Sequence, residues 1–413
     1  MEVFNMDSVN KNSRLLKTGI LSISVLLTAA SAVSGTVPMM AKEFSDKSSA
    51  QVQALITIPS IAMMIFILLS SIFIRIFGKR KTVLLGLALG LIGGVTPLFT
   101  SNFLIIQISR FILGAGNGLY STSTASLIGD IWSGDEQRNL LGIQSAVQTL
   151  GQSIATFMAG ILLGISWHAA YLVYLLFIPV IIIFAIGYNK STEKAIYDAQ
   201  KEVKEESVVQ KQTKLPVLAL VAILMSFIYF NAIMPEFTAS GLAIQQMQLQ
   251  NQSFLSTALA IAGIAGALVT SLYGKIYKIF KHYTPVFIML LGVIGYFGII
   301  HAANMVMLTI SMIILSSTSL IFPYIYGAVM EDVPAASKDF ALSVAKVFNN
   351  FGAFLSPYAM AATAGIFGLT GAIATLKIAM CYLIFIGIVF LILAILKTNK
   401  VKKVDSQSMT KEQ

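Results

Sequence analysis

Three charged side chains lie inside long apolar stretches of this 413-residue chain and are its best candidates for chemistry. Arg110 and Lys346 are cations that could hold an anionic group of a small solute. Glu236 is an acid that could carry a proton, because a carboxyl group removed from water favours its neutral form. Charges in apolar segments are costly and normally face a protein interior or a water-filled cavity. The three residues predict movement of a solute and a proton.

Each of these charges also has a plain structural explanation. Arg110 could brace backbone carbonyls or extend to the outer end of its helix. The long stem of Lys346 could carry its ammonium group to the inner interface. Glu236 could lie in water at the outer interface. The sequence leaves these alternatives open.

Amide side chains follow two of the apolar segments at helical spacing. Lys346, Asn349 and Asn350 share one helical face, and Gln148 and Gln152 share another. Such stripes line a wet cavity or join packed helices by hydrogen bonds. The predicted cavity residues are Arg110, Lys346, Gln148, Gln152, Asn349, Asn350 and Asn231, and the predicted proton-coupling residue is Glu236.

The amino-acid composition indicates the class of protein to which these residues belong. Hydrophobic residues make up 56% of the chain and charged residues 11%, whereas a soluble domain has about 25% charged residues. The apolar surplus must face lipid, which excludes a soluble enzyme, a nucleic-acid-binding protein and a disordered protein. One cysteine and three dispersed histidines offer no metal site, and we expect no catalytic residues, no cofactor and no metal. A membrane enzyme would need clustered acids or histidines, which the sequence lacks.

Twelve apolar runs are long enough to cross a bilayer, at about 20 residues per span. They predict an all-α membrane protein with twelve transmembrane helices. The first run resembles a signal peptide near Ala30-Ser31-Ala32, but its length favours a retained helix. The predicted helices are 17–41, 50–76, 82–100, 103–129, 139–165, 168–188, 215–238, 252–276, 283–302, 304–330, 340–366 and 371–396.

The basic residues predict how the chain is oriented. The net charge is +10, and 23 of the 28 lysines and arginines fall in alternate connections, on the side of both termini. Because positive charge favours the cytoplasmic side, we expect both termini in the cytoplasm. The expected location is the plasma membrane.

Landmarks recur about 200 residues apart and predict two repeated halves. Pro38 is matched by Pro235, and Asp130 by Asp332. We expect a six-helix bundle at 1–188, a cytoplasmic linker at 189–214, a second six-helix bundle at 215–396 and a tail at 397–413.

Motifs in the first half are similar to those of the major facilitator superfamily. The run Arg110-Phe-Ile-Leu-Gly-Ala-Gly-Asn-Gly118 resembles its helix-4 motif, and Trp167-His-Ala-Ala-Tyr171 resembles the start of its helix 6. The loop after helix 2 departs from the family, because Arg75 stands where an aspartate is usual. The helix-5 antiporter motif is partial, with Gln152 where a proline is common. The resemblance implies gating residues Arg75, Gly78, Lys79, Arg80, Asp130, Arg138 and Asp332.

The resemblance also implies a secondary active transporter that works by alternating access between its two halves. The favoured function is proton-linked export of amphipathic or drug-like compounds, and the alternative is an organic-anion transporter or exchanger that uses Arg110 and Lys346. The expected partners are a small organic solute, protons or a counter-ion, and the lipid bilayer, with no nucleic acid. We expect a monomer.

Overall fold

The computed structural model describes residues 13–196, 217–249, 252–330 and 338–409, and every regular element in these ranges is a helix. Helices occur at all twelve predicted positions, and ten are long and apolar enough to cross a bilayer. The prediction of an all-helical membrane protein is confirmed. In chain order, helices 1 to 12 comprise Arg14–Ser22 with Val37–Glu43, Ser49–Phe77, Lys79–Val95, Phe103–Ile131, Gly134–Leu163, Ala169–Leu176 with Phe177–Gly187, Val217–Ile233 with Pro235–Thr238 and Ser240–Gln246, Gln252–Ser271, Thr284–Ile300, Met305–Ser316 with Ile321–Met330, Lys338–Ile366, and Ala372–Met409.

Several predicted boundaries differ from the structure by a few residues, and two of them have a clear cause. Helix 5 begins at Gly134 rather than 139, because polar residues with acids in the first turn can form a helix that a hydropathy pattern does not detect. Helix 12 continues past 396 to Met409, because its polar end is helical although it is not apolar. A short helix, Tyr273–Phe280, follows helix 8 and has no buried residue.

Helix 1 is not a continuous α-helix between its two outer segments. Its backbone bonds there run from residue i+3 to residue i, as in Ala32 N–H to the Ala29 carbonyl (3.0 Å) and Thr36 N–H to the Val33 carbonyl (2.9 Å). This tighter geometry is typical of short 3₁₀ segments. Carbonyl groups in the segment are therefore available to side chains of other helices.

Helix 7 is interrupted at Pro235, which has no N–H to donate to the Asn231 carbonyl. The Ser356 hydroxyl on helix 11 donates to that carbonyl instead, at 2.7 Å. The next carbonyl, that of Ala232, accepts from the Tyr296 hydroxyl on helix 9 at 2.5 Å. Two neighbouring helices thus supply the hydrogen bonds that the broken helix lacks.

Each half has its own hydrophobic core, and Leu242 packs against both. We call the end of the bundle that carries Gly78 and Asn189 the linker face, and the other end the opposite face. Close contacts join the halves towards the opposite face, where the Thr57 hydroxyl donates to the Phe354 carbonyl at 3.3 Å.

Exposure along helix 2 shows where the halves separate. No residue from Val52 to Met64 is exposed, whereas Leu68 and Ile72, nearer the linker face, are at least half exposed. Helix 5 likewise exposes Gly142 and Ser145 near its linker-face end. The halves are packed together at the opposite face, and their helices become accessible towards the linker face.

Candidate transport site and gating contacts

Arg110 is fully buried on helix 4 and is bonded to helices 1, 2 and 6. Its Nε donates to the Leu55 carbonyl at 2.8 Å, its Nη1 donates to the Tyr174 hydroxyl at 2.9 Å, and its Nη2 donates to the Ala30 carbonyl. The guanidinium group also lies 5.8 Å from the ring centre of Tyr171. Such contacts compensate a buried cation with carbonyl dipoles and aromatic faces. Arg110 therefore holds the irregular segment of helix 1, and protein groups accept from three of its five N–H donors.

The amide stripe on helix 5 faces helix 1. The Gln152 side chain donates to the Ser31 hydroxyl at 3.1 Å, and Gln148 is half-buried one turn earlier. On helix 1, the buried hydroxyls of Ser24 and Thr28 have no hydrogen-bond partner among the described residues. The sequence analysis missed these hydroxyls, although Ser24, Thr28 and Ser31 recur at helical spacing.

The stripe on helix 11 divides into two parts. Asn349 joins three helices, because it accepts from the Ser226 hydroxyl and donates to the Tyr326 hydroxyl at 3.2 Å. Asn350 is half-buried and donates to the Lys346 carbonyl. Lys346 is exposed, and its ammonium group makes no ion pair within the described ranges. Lys346 and Asn350 are thus the members of this stripe that remain accessible.

Glu236 lies in the second half, beside the interruption of helix 7, and is 3% exposed. Its carboxyl group has no hydrogen bond or ion pair to any described residue. The nearby hydroxyls are engaged elsewhere: Tyr229 bonds Thr318 at 2.9 Å, and Tyr296 bonds the Ala232 carbonyl. An ionised carboxylate without a partner would cost several kcal/mol in such surroundings. Burial without a partner therefore disfavours the ionised form of this carboxyl group.

Asn231 lies on the same helix as Glu236, one turn before the interruption. It is buried, its amide nitrogen donates to the Phe227 carbonyl at 3.2 Å, and its amide oxygen has no partner among the described residues. Its hydrogen-bond partners, Phe227 and Ser356, belong to the second half, and it shares no hydrogen bond with Arg110 or Gln152.

The loop between helices 2 and 3 is fastened by two acids. Lys79 forms an ion pair with Asp130 at the end of helix 4. Glu193, which follows helix 6, accepts from the Arg80 backbone N–H at 2.8 Å, and Arg80 Nε donates to the Tyr188 carbonyl at 2.8 Å. The carboxylate of Glu193 thus lies at the positive end of helix 3.

The remaining predicted gating residues are placed as follows. Gly78 has a φ of +83°, a conformation that favours glycine and separates helix 2 from helix 3. Arg75 is exposed at the end of helix 2. Arg138 lies on helix 5, and Asp332 lies outside the described residues. Sequence reasoning missed Glu193, because an acid in a charged linker carries no local signal of a partner.

Solved structures of other proteins share this architecture. The nucleoside transporter NupG superposes with a TM-score of 0.69 at 13% identity, over 91% of this chain and 98% of that one. The xylose transporter XylE from E. coli, in a partially occluded inward open conformation, gives 0.64 at 16% identity, over 91% and 98%. At these identities the similarity shows the fold.

Curated relatives match shorter stretches of sequence. The bacillibactin exporter of Bacillus subtilis (strain 168) is 25% identical over 142 residues, which is 33% of this chain and 35% of the exporter. A triacylglyceride transporter of Mycolicibacterium smegmatis is 32% identical over 75 residues, 18% of this chain and 13% of the relative. Both matches span well under two thirds of the relative.

The family itself is matched over most of the chain. Residues 19–357 fit the model of the Major Facilitator Superfamily, so the resemblance found in the motifs is confirmed. The family and the fold together indicate a transporter and not an enzyme. This chain belongs to the Major Facilitator Superfamily.

Proposed function

We propose that the protein is a proton-linked exporter of amphipathic organic compounds in the cell membrane. The observation that carries the proposal is Glu236, an enclosed acid without a partner at the interruption of helix 7. An acid that is neutral when the opposite face is closed can ionise when that face opens and admits water. Such an acid couples the state of one face to the binding of a proton.

The distribution of basic residues supports the orientation. The linker face carries most of the lysines and arginines, which favours its location in the cytoplasm, together with both termini. The conformation described above is then accessible from the cytoplasm, where an exporter would load its solute. A proton entering from outside through the opened opposite face would have access to Glu236.

The chemistry of the accessible helices supports an amphipathic solute. The groups that could contact a solute are amides and hydroxyls from helices 1, 5 and 11, together with exposed aromatic side chains such as Phe348 and Phe351. The relatives named an exporter and a lipid transporter agree with export of such compounds. The alternative, an organic-anion transporter or exchanger, is favoured by one observation, the accessible and unpaired Lys346. It is weakened by Arg110, which is fully buried and already donates three of its five N–H groups to protein atoms.

Flux in proteoliposomes tests the proposal. We expect a lipophilic dye to move faster when a pH gradient is imposed, and Glu236→Gln to abolish that acceleration because the neutral amide carries no proton. Asp46→Asn, which alters an exposed acid near the opposite face, is the matched control and should leave it intact. Retention of the full pH response in Glu236→Gln would overturn the coupling assignment. Gradient-dependent movement of organic anions alone, lost in Lys346→Ala, would favour the alternative.

A further inference from the structure

A cavity of about 880 Å³ lies on the side of the second half, between helices 7, 9, 11 and 12. All of its lining residues belong to that half, so it is separate from the cleft between the halves. Phe297, Phe367 and Phe385 line it, and more than half of each is exposed. The cavity therefore opens laterally, towards the bilayer. Its volume lies in the range of about 300–1,000 Å³ that small-molecule sites occupy.

One polar atom in the wall lacks a partner. Asn231 is buried, and its amide nitrogen is already bonded within helix 7, which leaves its amide oxygen as an unpaired acceptor. A buried acceptor without a donor is unfavourable. An occupant that carries a hydrogen-bond donor, such as a hydroxyl group, would satisfy this oxygen once the amide rotates towards the cavity, because the oxygen is enclosed in the empty site.

The rim of the cavity near the opposite face is basic. Lys377 on helix 12 and His301 at the end of helix 9 line it, both are exposed, and no acid among the described residues lines the cavity. Lys377 has no ion pair among the described residues. Charge complementarity at this rim calls for an anionic group on the occupant.

The two polar positions lie at different depths. Lys377 is five residues from the start of helix 12 at Ala372, which is about 8 Å along the axis. Asn231 bonds Ser356, which is ten residues before the end of helix 11 at Ile366, or about 15 Å. Apolar and aromatic side chains separate the two levels, together with the Thr363 and Tyr382 hydroxyls, which are bonded to each other at 2.9 Å. The levels are about 7 Å apart along the axis, and the Lys377 stem can extend further towards the opposite face. An extended molecule with polar groups at both ends fits this arrangement.

We propose that this cavity is a bilayer-facing binding site for a single-chain amphipathic anion of the hydroxy-fatty-acid class. Its carboxylate meets Lys377 at the rim, its hydrocarbon chain lies along the aromatic wall, and its distal hydroxyl donates to the Asn231 amide oxygen. The site does not depend on the proposed export function, because it lies outside the cleft between the halves.

Equilibrium binding to the full chain in phosphatidylcholine nanodiscs tests the site, with radiolabelled laurate and ω-hydroxylaurate as probes. We expect ω-hydroxylaurate to bind about tenfold more tightly than laurate, which is the value of one hydrogen bond. Asn231→Leu should abolish this preference, and Lys377→Gln should weaken binding of both acids several-fold. Lys42→Gln, an exposed lysine near the opposite face of the first half, is the matched control and should change neither.

A second variant guards against a folding defect. Ala359→Phe adds a ring to the cavity wall without touching either polar group and should lower binding of both acids. Equal affinity of the natural chain for the two acids would overturn the role of Asn231. Binding that Lys377→Gln and Ala359→Phe leave unchanged would overturn the site as a whole. Gradient-driven dye flux in Ala359→Phe should persist, which separates failure here from failure of the export proposal.

Discussion

The interruption of helix 7 makes a quantitative prediction through Ser356. This hydroxyl donates to the Asn231 carbonyl, which would otherwise accept from the backbone N–H of residue 235. Ser356 is fully buried, so Ser356→Ala leaves the carbonyl without a donor. We expect this change to lower the free energy of unfolding by about 1–3 kcal/mol.

The cause can be isolated by restoring the missing donor. Pro235→Ala returns an N–H to position 235, and in that background the carbonyl no longer depends on Ser356. We therefore expect Ser356→Ala to cost about 1 kcal/mol less when residue 235 is alanine, a coupling that a double-mutant cycle measures. The assay is reversible unfolding of the purified protein in mixed micelles, followed by circular dichroism.

Ser109→Ala is the control for this double-mutant cycle. Ser109 is also buried, but its hydroxyl bonds the Ile106 carbonyl within its own helix, so Ser109→Ala should cost less than Ser356→Ala when residue 235 is proline and should cost the same with either residue at 235. Equal costs of Ser356→Ala with proline and with alanine at position 235 would refute the idea that Ser356 replaces the backbone donor.

Three further predictions concern the first half. Arg110→Lys should lower the free energy of unfolding by about 3 kcal/mol or more, because an ammonium group cannot reproduce three directed bonds to three helices, and thermal unfolding measures the loss. Lys79→Ala and Asp130→Ala should show a coupling of about 1 kcal/mol that declines in high salt, and a salt-independent coupling would contradict a direct ion pair. Glu193→Gln should destabilise the start of helix 3 by about 0.3–1 kcal/mol, detected as faster hydrogen exchange at Arg80, and unchanged exchange there would contradict the contact.

The sequence analysis predicted the architecture because hydropathy reports directly on contact with lipid. Each of the twelve apolar runs corresponds to a helix. Boundaries failed where a helix extends into water, as at Gly134, since polarity there no longer distinguishes helix from loop.

The partners of the candidate residues could not be predicted from the sequence, for a different reason. The cost of burying Arg110 predicted an enclosed position, but the Ala30 carbonyl is available to it only because helix 1 departs from α-helical geometry. Pro235 lacks the N–H that would bond the Asn231 carbonyl, yet the residue that supplies the bond, Ser356, is distant in the chain. Such pairings depend on how helices pack, which local patterns do not encode.

The seam between the halves at the opposite face has a consequence for controlling the protein. A Cβ atom added to Gly35 would lie 2.5 Å from the Ser256 hydroxyl oxygen, and one added to Gly241 would lie 2.7 Å from Pro38 Cγ. Both contacts cross from one half to the other, so the clash exists only while the seam is closed. The Ser256 hydroxyl can rotate away from a methyl group at Gly35, whereas the Pro38 ring cannot. A methyl group at Gly241 would therefore shift the resting population towards the form open at the opposite face. A substitution at the seam could thus trap that form by a steric clash, without altering a charged or polar residue.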